Sequence, residues 1–344
     1  EKYDEGEKTF KEMLNSGVRM DVVSFTKHIK FYKERGDWRR ALRTFSRMLQ
    51  SSVRANEVSY KTLISVCSLI PQGAANAATA VFLEMQMSNL RTDVTAYNTL
   101  ISACSAEHWS RALQAFRTMR ESGIEPNVVT YNALLSAFEK GVELGMCKRV
   151  FREMTVRRDA VTYSTYINCA GRAGRWEVAL DVFRSMGQDS LAPNTALYNT
   201  LITALSRCAR WEIALDVMAE MRRDSVEVDT KTCVATMRAC ERAGQLQRIE
   251  AIWKQADQSG VSPDVGVFEM IVRAQILLGS WEKALGLLRK LPKRMAKEAR
   301  LYNIALTLLS GFPDLKRVCL RLFDQMNADG VRPGLEAYNS VMKI

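Results

Sequence analysis

Four basic residues, Lys140, Arg172, Arg207 and Arg242, recur at intervals close to 35 positions, each at the same place in a helical pattern. In a regular stack of such units they line up as a ladder along one edge, a spacing of positive charge suited to a phosphate backbone. An ordinary solvated helix face would carry the same residue types, so the ladder needs a second pattern beside it. The chain as a whole shares the bias. Its 49 Lys and Arg against 38 Asp and Glu give a formal net charge of +11, which favours polyanionic partners. Other reactive side chains form no chemical constellation. The eight cysteines include no CxxC pair. Cys67, Cys104, Cys169 and Cys240 fall at nearly one position of the period, where a free cysteine acts as a small hydrophobe. Packing follows rather than zinc or disulfides, and a reducing compartment with it. His28 and His108, the only histidines, lie in different units with no partner spacing. There is no Gly-rich phosphate loop, no paired His/Cys ligand spacing and no acidic cluster outside the repeats. No enzyme activity, metal or cofactor is expected.

The elements that must position the ladder repeat along the whole chain. VVSFTKHIKFYKERGDWRRALRTFSRMLQSSVRAN at 22–56, AVTYSTYINCAGRAGRWEVALDVFRSMGQDSLAPN at 160–194 and TALYNTLITALSRCARWEIALDVMAEMRRDSVEVD at 195–229 align without gaps. Self-similarity at such a period marks a solenoid of stacked supersecondary units. Each unit predicts a helical hairpin. The first helix carries apolar residues at helical spacing, as in Tyr131, Leu134, Leu135 and Phe138. A short turn follows, and Trp38, Trp109, Trp176, Trp211 or Trp281 opens the second helix. Pairs such as Phe45/Met48, Phe82/Met85, Phe116/Met119, Phe151/Met154 and Phe183/Met186 close its apolar stripe. One hairpin cannot bury that stripe, whereas stacked neighbours can. Repetition at one position assigns the Trp and Met residues to the core rather than to a ligand box.

The period divides the chain into nine full units: 22–56, 57–93, 94–127, 128–159, 160–194, 195–229, 230–264, 265–298 and 299–334. Residues 1–21 read as the tail of an earlier unit and 335–344 as the head of a later one. Extra residues around Pro71-Gln72-Gly73 and Gly311-Phe312-Pro313 fall in turns, where they cost little. The short unit 128–159 should tighten the step to its neighbour. No apolar run reaches the roughly 18 residues that span a bilayer. The chain opens on Glu1 within what reads as a helix, so the natural N-terminus, and any targeting segment, is expected upstream.

The VTYN-type opening, the GxW turn, the AL…F…M helix and the closing Pro-Asn or Pro-Asp resemble the pentatricopeptide repeat (PPR) family over essentially the whole chain. The resemblance implies an all-α fold: a single right-handed α-solenoid superhelix of stacked helix-turn-helix repeats. It also implies single-stranded RNA binding at one base per repeat. The fifth and last residues of a repeat would choose the base and the second would pack against it. Carried over, the reading pairs are Thr26 with Asn56, Lys61 with Asp93, Asn98 with Asn127, Asn132 with Asp159, Ser164 with Asn194 and Asn199 with Asp229. The packing residues are Val23, Val58, Thr95, Val129, Val161 and Ala196.

An ionised Asp only accepts hydrogen bonds, which suits the N–H of U or G, while Asn can donate to the ring nitrogens of A or C. By the resemblance, Thr or Ser at the fifth place leans to purines and Asn to pyrimidines. The target is then 5′-A-n-(C/U)-U-A-U-3′, with the second base left open by Lys61. Asp or Asn before a helix is also a favoured N-cap, which alone could account for the last residues. It does not account for Asn, Ser or Thr five residues on beside a small packing residue. In the last three repeats Lys231, Gly266 and Arg300 take the packing place, and Val234/Asp264, Glu269/Glu298 and Asn303/Gly334 the reading places. These repeats read as scaffold, and Glu269 and Glu298 would repel phosphate if they faced it. Two functions follow: an organellar RNA-binding protein, mitochondrial or plastid, acting in RNA processing, stability or translation; or a structural subunit or assembly factor of a large organellar complex such as a ribosome. The chain is expected to be monomeric outside such an assembly, with protein partners, if any, on 230–334.

Overall fold

The structure, a computed structural model, describes residues 12–13, 20–51, 53–70, 73–105, 109–258, 260–289 and 299–343. His108, Glu298 and the Pro71-Gln72 insertion lie outside them. The described residues form nineteen α-helices, two short 3-10 turns and no strand. The chain divides into two compact units, Glu1–Cys169 and Ala170–Ile344. The first holds α1 (Val22–Glu34), α2 (Trp38–Gln50), α3 (Glu57–Cys67), α4 (Ala74–Met87), α5 (Val94–Cys104), α6 (Trp109–Glu121), α7 (Val128–Gly141) and α8 (Leu144–Glu153); the division falls within α9 (Ala160–Arg172). The second continues with α10 (Trp176–Ser185), α11 (Thr195–Arg207), α12 (Trp211–Arg223), α13 (Thr230–Arg242), α14 (Gln247–Gln258), α15 (Val265–Leu277), α16 (Trp281–Arg289), α17 (Ala299–Leu309), α18 (Lys316–Ala328) and α19 (Leu335–Met342). None of the described helices is long and apolar enough to cross a membrane.

Within each unit the first helices of successive repeats pack side by side, α1 on α3 on α5 on α7, and α11 on α13 on α15 on α17 on α19. Second helices pack on their own partners and on the first helix of the next repeat, as α2 does on α1 and α3 and α12 does on α11 and α13. An aromatic pair marks the latter contact. The Phe of one repeat meets the Tyr of the next in Phe45–Tyr60, Phe82–Tyr97, Phe116–Tyr131, Phe151–Tyr163 and Phe183–Tyr198, with ring centroids 4.8–5.6 Å apart and the rings tilted or edge-on. The quadrupole of the rings favours this geometry.

First helices touch neighbours on both sides, so their inner positions admit little bulk. Cys67, Cys104, Cys169 and Cys240 sit there, buried, and burial pushes the Cys67 and Cys240 thiols up to about 11. Thiols so placed are poor nucleophiles and poor metal ligands at neutral pH. Where α9 and α11 cross, a Cβ on Gly171 would lie 2.5 Å from the Ala204 Cβ, so glycine sets that approach. The Trp residues open their helices half-buried, and His28 is buried with its ring stacked on Phe31 and edge-on to Tyr32.

Turns within hairpins need one left-handed residue. Gly174 supplies it at φ +71°, but in the short fourth repeat Val142 does so at φ +59°. A β-branched residue pays heavily there, because Cβ crowds the following carbonyl. Val142 is 39% exposed, so little packing would be lost on trimming it. Val142→Gly is expected to raise stability by about 1 kcal/mol, read as a higher urea midpoint at unchanged m value.

Candidate nucleic-acid interface

In α1, α7, α9, α11 and α13 the second, fifth, ninth and thirteenth residues fall on a single face by helical geometry. The second residue is apolar and open: Val23, Val58, Val129 and Val161 are 50–58% exposed, and Thr95 and Ala196 are exposed as well. One exposed valine needs no explanation. Four at the same register, each beside a polar pair, form a recurrent apolar surface that water covers at a cost.

The last residue of each repeat caps the next helix. Asn56, Asp93, Asn127, Asp159, Asn194 and Asp229 accept backbone N–H bonds of 2.8–3.0 Å from Ser59, Ala96, Thr130, Thr162, Leu197 and Thr232. Capping therefore holds at every one of these positions, and it orients the side chain rather than using it up. At the fourth repeat Asn132 Nδ2 donates to both Asp159 carboxylate oxygens, at 3.0 and 3.2 Å. Thr162 Oγ1 lies 2.7 Å from Asn132 Oδ1 and 2.8 Å from Asp159 Oδ1. The sixth repeat repeats the arrangement: Asn199 Nδ2 is 3.1 Å from each Asp229 oxygen and Thr232 Oγ1 is 2.6 Å from Asn199 Oδ1. A carboxylate only accepts, so the amide NH2 must face it and the amide oxygen must face the threonine. One amide hydrogen and the outer carboxylate lone pairs remain, a donor beside an acceptor. Uracil offers the complement, a carbonyl beside N3–H.

Partial burial tends to raise the Asp159 carboxyl, but the Thr162 amide and hydroxyl and the Asn132 amide outweigh it and hold it below its ordinary 3.8. The same balance, with Thr232 and Asn199 as donors, lowers Asp229. Both are acceptors at neutral pH. In the third repeat Asn98 Nδ2 donates to Asn127 Oδ1 at 3.3 Å and Thr130 Oγ1 donates to Asn98 Oδ1 at 2.6 Å. The Asn127 oxygen also takes the Thr130 N–H and hydroxyl, so its amide NH2 is what it presents outward. In the first repeat Thr26 Oγ1 pairs with Ser59 Oγ at 2.7 Å. Ser164 turns its hydroxyl to the Val161 carbonyl at 3.0 Å, while Asn194 serves as a cap.

Lys61 departs from the pattern in a definite way. Its Nζ lies 2.9 Å from Asp93 Oδ2 and 2.9 Å from Thr95 Oγ1, filling the reading place with an internal ion pair. Burial opposes ionisation of Asp93, yet the bonds from Thr95 and Lys61 prevail and bring it to about 2. At the eighth repeat Glu269 does not meet the condition under which it would repel phosphate. Glu269 is 5% exposed and ion-paired to Arg300 at 2.8 Å and Arg273 at 3.2 Å. Its charge is neutralised by the residue at the next packing place. Asn303 donates to Glu336 at 3.2 Å.

Among the ladder residues, Lys140, Arg172, Arg207 and Arg242 are all exposed. Lys140 Nζ reaches Ser105 Oγ at 3.5 Å, and Arg242 Nη1 donates to the Ser206 carbonyl at 3.2 Å. The residues absent from the sequence reading are the third-position hydroxyls, Ser59, Thr130, Thr162 and Thr232. Their signal was present as a Ser or Thr three places after the Asn or Asp cap, the spacing of a reciprocal cap, which the structure forms at Asn127–Thr130 and Asp229–Thr232.

A family profile described as "Pentatricopeptide repeat domain" matches residues 8–68 and 80–140. One described as "Pentatricopeptide repeat-containing protein" matches 160–291 and one described as "PPR repeat" matches 129–158. The chain is 23% identical over 341 residues to the chloroplastic pentatricopeptide repeat-containing protein At4g18520 of Arabidopsis thaliana, covering 98% of this chain and 47% of that protein. It is similar to the crystal structure of the pentatricopeptide repeat protein PPR10 from maize, with a TM-score of 0.61 at 20% identity over 99% of this chain and 53% of that one. PPR10 in complex with an 18-nt psaJ RNA element gives a TM-score of 0.49 at 22% identity, over 98% of this chain and 54% of the other. The chain thus spans about half the length of the relatives it matches.

Proposed function

Because the chain belongs to the pentatricopeptide repeat family, we propose that it binds single-stranded RNA in an organelle and acts by that binding alone, in RNA processing, stability or translation. The observation that carries this reading is the coincidence, at one register, of an exposed small apolar residue with a pre-oriented Asn–Asp pair: Val129 with Asn132–Asp159 and Ala196 with Asn199–Asp229. Such a surface has an apolar plate for a base and a donor–acceptor pair for its edge. The proposed target is 5′-A-n-(C/U)-U-A-U-3′, read by repeats 22–229, with the second base open because Lys61 is bound to Asp93. The exposed cations of the ladder supply phosphate contacts, which make affinity fall with salt. The chloroplastic relative supports an organellar site of action.

A second reading, a structural subunit or assembly factor of a large organellar complex, is favoured by one observation. The Glu269–Arg300–Arg273 ion pairs close the reading place of the eighth repeat. Binding of the isolated chain to an A-n-C-U-A-U oligomer and to its scramble separates the two. Base reading predicts a preference on the order of tenfold or more for the first. Equal, salt-sensitive binding to both would sink the code and leave the scaffold.

A further inference from the structure

The seventh repeat lacks a base-reading pair, yet its outward stripe is not neutral. Along α13 the second, fifth, ninth and thirteenth places hold Lys231, Val234, Arg238 and Arg242. In the preceding repeat the same places hold Ala196, Asn199, Thr203 and Arg207. Lys231, Arg238, Arg242 and Arg207 together line one pocket of about 360 Å³, whose sides are completed by the hydroxyl residues Thr203 and Ser206.

The cations of this pocket outnumber the carboxylates near them, Asp264 in its lining and Asp229, which feels the charge of Lys231. Asp264 is the one carboxylate in its lining, and its Oδ1 is engaged as the cap of α15, 2.9 Å from the Val267 N–H. Arg242 gives one N–H to the Ser206 carbonyl. Arg207, Lys231 and Arg238 form no ion pair among the described residues. Arg238 and Arg242 stand four residues apart on one helix, an arrangement of like charge that opposes helix formation. These charges border one concavity. Gly266, at the packing place of the next repeat, leaves the pocket open, since a Cβ there would press within 3.3–3.4 Å of Asp264 and Val234. Beyond it the Arg300–Glu269 ion pair closes the following reading place.

We infer that the junction of the seventh and eighth repeats is a phosphate site, not idle scaffold: Lys231, Arg238, Arg242 and Arg207 hold a phosphate oxyanion of the RNA just 3′ of the base read by Asn199 and Asp229. Guanidinium groups match phosphate through paired N–H donors, and Lys231 adds a point charge. The phosphate would be held irrespective of the base attached to it. The RNA reading of repeats 22–229 supplies the position and polarity, so the inference rests on that reading; the chemistry of the pocket does not depend on it.

The test uses the whole chain with the Lys231→Ala/Arg238→Ala double variant, both sites being exposed. Four RNAs are compared: the A-n-C-U-A-U hexamer, the hexamer with a 3′-phosphate, the hexamer extended by two 3′ nucleotides, and that extension with uncharged methylphosphonate links. The charged extension should bind on the order of tenfold tighter than the hexamer at low salt, whatever its bases, with a log–log salt slope steeper by about 0.7 per phosphate held. The methylphosphonate links and the double variant should each erase that gain. An equal gain from the 3′-phosphate alone identifies a terminal monoester; a gain from the extension only identifies an internal diester. No gain in either, a gain that follows base identity, or a gain kept by the double variant overturns the inference. Calorimetry with inorganic tripolyphosphate provides a reading free of base recognition. Binding that is lost in the double variant sustains the pocket even if the hexamer proves no better than its scramble, and no binding by the native chain counts against the pocket even if base reading holds.

Discussion

Replacing Asn132 and Asp159 together by alanine is expected to abolish the preference for U at the fourth base while leaving salt-dependent affinity for RNA. In the native protein a U-to-C change at that base should cost on the order of 10–100-fold, the scale of a well-made bidentate edge contact. In the double variant the ratio should approach one. Asp159→Ala also removes the cap of α9, worth about 1 kcal/mol of stability, so a gentler exchange makes the cleaner measurement. Asp159→Asn keeps an oxygen for the Thr162 N–H and presents NH2 outward, as Asn127 does in the third repeat. It should move the preference from U toward C rather than erase it. A U preference surviving in either variant would refute the assigned roles.

The threonine gives a further handle on the same site. Thr162→Val deletes the hydroxyl that meets the Asn132 amide oxygen, so discrimination should weaken more than affinity, and Thr162→Ser should restore it. Acid should matter little. The Asp159 carboxyl titrates below its ordinary 3.8, so its acceptor form, and the stability linked to ionisation, persist above the unfolded value and fade only as pH falls through the lower, folded one. The fourth-base preference is expected to be flat from pH 8 to pH 5.

What the sequence disclosed here follows from which interactions are periodic. Hairpins, Trp-led second helices and the Phe and Tyr of neighbouring repeats recur at fixed offsets, because each unit buries the same stripe against the next. The starts of first helices at Val22, Glu57, Val94, Val128, Ala160, Thr195 and Thr230 coincide with the period, since the capping Asn or Asp precedes each one. What escaped were contacts between residues of different repeats that no single period displays. The Thr162 hydroxyl serves a cap within its own repeat and an amide in the repeat before it; only the first role is visible in a string of letters. Lys61 was legible as a gap, but its closure on Asp93 was not. Glu269 looked like a repulsive charge because Arg300 lies thirty-one positions away in the next repeat. Val142 gave no warning of a left-handed backbone, a task the fifth repeat assigns to Gly174.

The largest loss of stability is expected from Phe183→Ala, at about 3–5 kcal/mol. Phe183 is 4% exposed and its ring lies 5.0 Å from that of fully buried Tyr198 in the next repeat. Tyr198 is itself fixed, its hydroxyl 2.5 Å from Asp224 Oδ2; burial and that bond both push its pKa up. With Tyr198 held at its far end, the structure cannot collapse into the space vacated by Phe183, and poor collapse is what makes a cavity expensive. A solenoid's stability is close to a sum of repeat and nearest-neighbour terms. The loss therefore falls on one interface, and cooperativity should break there rather than across the chain. Urea unfolding should shift to lower midpoint and lose its single transition, with amide exchange accelerating first in α10 and α11. Phe183→Leu, which keeps most of the volume, should cost less than about 1.5 kcal/mol. A uniform acceleration along every helix would show that the repeats unfold as one body and that the additive description fails; a midpoint unchanged in Phe183→Ala would show that the aromatic contact carries none of the interface.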